Sequence, residues 1–145
     1  MKNSRKQLRI ICFTMAASIV MYAGLAWWLP SSARLNPVLF KAISLVAVSL
    51  VVAIAVIRRI LVAPADARLA SQPGDPIALA RWRQGHVTIF ALCEAVALYG
   101  LVLHFLGGSL FQILPFFACG LTLMLFFAPK APTRPEFPAD RHPST

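Results

Sequence analysis

Acidic residues are the scarcest chemistry in this chain: Asp and Glu together number 5 among 145 residues, dispersed as Asp66, Asp75, Glu94, Glu136 and Asp140. No paired carboxylates result, so hydrolytic acid–base chemistry lacks its usual groups. Cysteine occurs 3 times, as Cys12, Cys93 and Cys119, an odd number without paired spacing and each inside an apolar run. That usage points away from a disulfide framework or a zinc site and toward free thiols packed as small hydrophobes. Histidine is equally sparse. His86 and His104 fall at opposite ends of one expected helix and His142 lies near the end of the chain, so two histidines cannot face each other across a haem. His104 is expected instead to make an interfacial hydrogen bond near Gln112. The glycines form no phosphate-cradling loop or nucleophile elbow. The sequence therefore predicts neither an enzyme nor a resident cofactor.

What the chain has in abundance is apolar surface: 59% of its residues are hydrophobic and 13% charged, with a net charge of +9 and a mean hydropathy of +0.72. A bilayer core of about 30 Å takes about 20 apolar residues in a helix rising about 1.5 Å per residue. Four stretches are candidates, about 10–29, 37–57, 87–105 and 110–128. The first follows Lys2, Arg5, Lys6 and Arg9 and closes on Trp27 and Trp28, a basic anchor at one end and an aromatic one at the other. Its length and tryptophans favour a retained anchor over a cleaved leader, although Ser31, Ser32 and Ala33 are small enough for cleavage. The second opens with Asn36 and Pro37, a helix cap followed by a first-turn proline, and carries Lys41 where its stem can reach the headgroups.

From Ala95 the chain runs uncharged to Pro129, too far for one crossing. Gly107, Gly108 and Ser109 supply the reversal, so the third and fourth spans are expected to form a hairpin, with a kink at Pro115 in the second arm. The expected fold is an all-α, integral membrane four-helix bundle: a single transmembrane domain over 1–128 with an inside loop at 58–86, then a proline-rich tail over 129–145. In the loop, Pro64, Pro73, Gly74 and Pro76 exclude one continuous helix, and Asp75-Pro76 restarts one. Arg81, Trp82 and Arg83 are expected to meet lipid headgroups there. Pro129, Pro132, Pro135 and Pro138 recur at the period of a polyproline II helix, giving a stiff solvated tail or a docking strip.

Charge sets orientation. With the N-terminus inside, Lys2, Arg5, Lys6, Arg9, Arg58, Arg59, Arg68, Arg81, Arg83, Lys130, Arg134 and Arg141 lie on one side, and of the 14 basic residues only Arg34 and Lys41 on the other. Both termini are thus expected in the cytoplasm, in the plasma membrane or a bacterial inner membrane. The basic excess reads as contact with the bilayer and its anionic headgroups. Nucleic acid is not expected as a partner, because no segment is long enough to build a basic folded surface. A chain with so little soluble surface is expected to pack against itself or a larger membrane complex.

One charge remains unexplained by topology. Glu94 lies about seven residues, roughly 10 Å, inside the third span, where a carboxylate is costly unless it is protonated, paired or turned toward other helices. Thr122 on the fourth span lies nearly level with it and is the expected hydrogen-bond partner; Arg58 and Arg59 are also candidates to reach it. Cys93, Ala97 and Gly100 form an adjacent stripe of small residues that admits a close neighbouring helix. Two roles follow, an interhelical hydrogen bond that fixes the bundle, or proton and cation handling.

The run Glu94-Ala95-Val96-Ala97-Leu98-Tyr99-Gly100-Leu101-Val102, preceded by Arg83-Gln84, resembles the carboxylate helix and polar loop of the proteolipid ring subunit of rotary ATP synthases. The resemblance implies that Glu94 is an ion-carrying site on a helix running from inside to outside. It covers nine residues, Glu94 to Val102, and the second span departs from the family pattern in having no glycine repeat.

Overall fold

In a computed structural model, the chain is all-helical over the described residues, which are 2–29, 36–72 and 74–128. Positions Ser31 to Arg34, expected in an outside loop, and the proline-rich tail from 129 onward lie outside these residues, and so do the docking and spacing expectations attached to them. Helix α1 spans Lys2–Trp28 and α2 spans Pro37–Ile57. A π-helical turn, Arg58–Val62, then joins α2 directly to α3, Ala63–Ser71. Helices α4, Pro76–Phe105, and α5, Leu110–Phe126, complete four rods. Three stretches, Lys6–Trp28, Pro37–Ser71 and Pro76–Phe105, are long and apolar enough to cross a membrane, and Leu110–Phe126 is a shorter apolar helix.

Local chemistry explains the boundaries. Asn36 accepts a 2.9 Å hydrogen bond from the Val38 amide and Pro37 follows it as first helical residue. Asp75 accepts from the amides of Ile77 and Ala78, again ahead of a proline. In both places the cap takes up free amides while the proline lacks the one that would be left over. At the hairpin, Gly107 adopts φ 100°, a conformation with a steric cost for any residue bearing a Cβ. Ser109 and Gln112 then form a reciprocal capping box at the start of α5.

The segment expected as an inside loop is instead mostly helical. The chain stays helical from Pro37 to Ser71 and opens only briefly before Asp75. Pro64 does not end the rod because it falls at the start of α3, just after the π turn, where the Ala63 amide donates to the Arg58 carbonyl. A wide turn ahead of a proline gives its ring room that a regular α-turn denies. The end of α3 at Ser71 and the restart at Asp75 fall where the sequence predicts a break. Pro115 sits in the second turn of α5, which continues unbroken to Phe126.

Helix α4 is the hub: α1, α2, α3, the π turn and α5 all pack on it, and α1 also packs on α5. Its neighbours present stripes spaced alternately three and four residues apart. On α1 these are Leu8, Cys12, Met15, Ile19, Tyr22 and Ala26; on α5, Ile113, Phe117, Gly120 and Met124. This is the seam spacing of closely aligned helices. The ends are fixed by two contacts. Leu29, just beyond α1, meets His104 at the end of α4, and Arg58, beyond α2, lies over the rings of Phe126 and Phe127 at the end of α5. The start of α1 and the end of α5 therefore share one end of the bundle, opposite the α4–α5 turn.

Candidate functional site

Glu94 sits midway along α4 and is half-buried. Its Oε1 accepts a 3.0 Å hydrogen bond from the Tyr22 hydroxyl of α1. The pair bridges parallel helices across the interface formed by the α1 stripe. A phenol is a suitable partner here: it brings a donor that satisfies a carboxylate without adding charge, and its ring packs as apolar surface.

The expected partner was a different hydroxyl. Thr122 is exposed on α5, away from Glu94, and the expectation is corrected to Tyr22. The reason is rotational. Helix α5 approaches α4 on the side of Cys93, Ala97 and Gly100, not that of Glu94. A Cβ added at Gly120 would stand 2.7 Å from the Cys93 carbonyl oxygen and 3.3 Å from the Ala97 Cβ, and one at Gly100 would stand 2.8 Å from the Phe116 Cβ. The small-residue stripe thus holds α5 as the sequence predicts, and that packing turns Thr122 outward. Arg58 does not reach Glu94 either; its guanidinium lies 4.9 Å from the Phe127 ring centroid and 5.8 Å from that of Phe126. Arg59 is exposed.

Tyr22 was missed. The first and third spans of an up-and-down bundle run the same way, but Tyr22 lies 6 residues from the end of α1 at Trp28 and Glu94 lies 11 from the end of α4 at Phe105, so equal depth does not pair them.

The basic segment at the start of α4 divides by side. Arg81 and Arg83 are exposed. Trp82, expected at the headgroups, is 7% exposed and turned inward, its ring 4.5 Å from that of His86. His86 in turn contacts the Trp82 carbonyl through Nδ1 at 3.0 Å and faces Phe90. The inward side is set by the helix repeat, since Trp82, His86, Ile89, Phe90 and Cys93 form one buried face. Arg83 instead borders a shallow groove of about 490 Å³ on α4, with Leu79, Ala80, Gln84, Val87 and Thr88.

Cys12 and Cys93 are buried free thiols and Cys119 is half-buried. Among the described residues, no group of three or more His, Cys, Asp or Glu is placed to hold a metal ion, and every buried side-chain nitrogen or oxygen has a hydrogen-bond partner. Comparison with protein-family models, curated proteins and solved structures finds no match to this chain.

Proposed function

We propose that this is a multi-pass membrane protein with both termini in the cytoplasm, serving as a structural, assembly or accessory component of a membrane complex or of its own oligomer. The observation that carries this reading is the Tyr22–Glu94 hydrogen bond. A carboxyl group inside an apolar bundle is tolerated when it is turned toward another helix and paired, and here the pairing joins α1 to α4. The role assigned to Glu94 is to fix that interface.

Orientation draws support from the basic residues gathered at the end where α1 begins and α5 ends. Arg81 and Arg83 then face anionic headgroups of the inner leaflet, with the apolar groove beside Arg83 open to acyl chains.

The rival role, proton or cation handling at Glu94, follows from the local resemblance to ring proteolipids and makes a different demand. Glu94→Gln keeps an oxygen to accept from Tyr22 but cannot ionise, whereas Glu94→Leu removes both properties. Complementation of a deletion strain and mild-detergent co-purification are the two readouts. A structural role predicts that E94Q complements and retains the wild-type set of co-purifying proteins, while E94L loses them. If E94Q assembles normally and fails to complement, the structural reading is wrong and ionisation is the function of Glu94.

A further inference from the structure

The hairpin end of the bundle holds a second polar contact, remote from Glu94. His104, in the last turn of α4, is 3% exposed. Its Nε2 lies 2.7 Å from the carbonyl oxygen of Leu29 at the end of α1. Its Nδ1 lies 3.3 Å from the carbonyl oxygen of Gly108 in the α4–α5 turn. Both partners are backbone carbonyls, which only accept hydrogen bonds. A neutral imidazole has one N–H and one lone pair, so either tautomer aims a lone pair at a carbonyl oxygen. Only the imidazolium donates in both directions.

The surroundings offer no other proton donor or counter-charge to the ring among the described residues. On α1 the last titratable group is Tyr22, two turns back and bonded to Glu94. On α4 it is Tyr99, and on α5 the nearest is Cys119, well along the helix. On α2 the charged group nearest this end is Lys41, which is exposed. Ser109 and Gln112 are adjacent, but in the capping box each side chain accepts from a backbone amide and neither bonds to the ring. The Phe105 ring, with its centroid 6.2 Å from that of His104, is apolar. What does converge on the imidazole is the C-terminal ends of α1 and α4, where the helix dipoles leave partial negative charge.

We infer that His104 is a proton-operated clasp: protonated, it ties the end of α1 to the α4–α5 turn through both ring nitrogens, and loss of the proton releases one of the two ties. The sign follows from which form donates twice. The clasp is complete while the ring is protonated and loses one tie when it is not. The side of the membrane that it senses, the external side, rests on the orientation proposed above; the clasp itself does not.

Two measurements on the full chain in phosphatidylcholine nanodiscs test this. Trp27 and Trp28 are exposed next to Leu29 and report the environment of the α1 end through their emission. The wild type is expected to show one reversible emission transition as the pH is varied, lost in His104→Gln. Independently, ¹⁵N spectra of the histidine-labelled wild type, with His104 identified by the resonance that disappears in H104Q, are expected to show both ring nitrogens protonated at the acid end. An emission transition that survives in H104Q, a wild type with no transition, or a single protonated nitrogen on His104 at the acid end overturns the proposal.

Discussion

Gly120→Ala adds one methyl group where α5 meets α4, and the structure sets the magnitude of its effect. The added Cβ would stand 2.7 Å from the Cys93 carbonyl oxygen, a backbone atom that cannot rotate away, and 3.3 Å from the Ala97 Cβ. The helices must therefore separate or shear, at an overpacking cost of about 1–3 kcal/mol. Alanine also relieves the intrinsic helix penalty of glycine, about 1 kcal/mol in the opposite direction. These terms partly cancel, so G120A alone is a blunt test. Gly24→Ala supplies the control, because nothing lies within 4 Å of the site where its Cβ would stand on α1. The two substitutions share the propensity gain and differ in contact. G24A is expected to be neutral to stabilising, and G120A less stable than G24A by the full overpacking cost of about 1–3 kcal/mol. Reversible unfolding in mixed micelles, followed by far-UV circular dichroism against denaturing detergent, reads both. Equal stability of G24A and G120A would show that α5 does not approach α4 at Cys93, and the position assigned to Thr122 would fall with it.

Two further outcomes follow from the packing and the proposed orientation. Arg58→Leu removes a cation from the rings of Phe126 and Phe127, so the ends of α2 and α5 should loosen at a cost of about 0.5–2 kcal/mol, read as faster hydrogen exchange confined to the last turn of α5; an unchanged exchange pattern would mean that the contact contributes nothing. Single cysteines replacing Ser109, in the α4–α5 turn, and Gln72, between α3 and α4, should react with an impermeant maleimide from opposite sides of the membrane, Ser109 from outside. Labelling of both from one side would reject the proposed topology.

The sequence was legible wherever a boundary is made by local chemistry. Asn36-Pro37, Asp75-Pro76 and Gly107-Gly108-Ser109 each begin or reverse a helix where their residues predict, since caps, missing amides and positive φ are decided within a few residues. Rotation about the helix axis was not legible. On α1 the buried stripe of Leu8, Cys12 and Ile19 is flanked by exposed Phe13, Val20 and Met21, so the outward face is as apolar as the inward one and leaves no period to read. Tyr22 belongs to that hidden stripe. Trp82 misled for the opposite reason. It stands between two arginines, and the composition of an interfacial segment suited it, but the helical repeat carries it to the buried face while Arg81 and Arg83 stay outside. The stripe of Cys93, Ala97 and Gly100 could be found in advance because small residues advertise close approach by size, whichever helix arrives.

The hub position of α4 bears on the order in which the protein can form. Synthesis proceeds from the N-terminus, so α1 and α2 emerge before the helix on which both of them pack. On the proposed membrane topology, each must first persist as a separate helix in lipid, held by its own backbone hydrogen bonds and apolar surface. Tyr22 waits during that interval without its acceptor. When α4 follows, it brings Glu94 to the Tyr22 hydroxyl, and α5 packs against the small-residue stripe after it. On that topology, half of the chain enters the membrane before any of its interhelical contacts with α4 exists, so the tertiary structure waits on the helix made third.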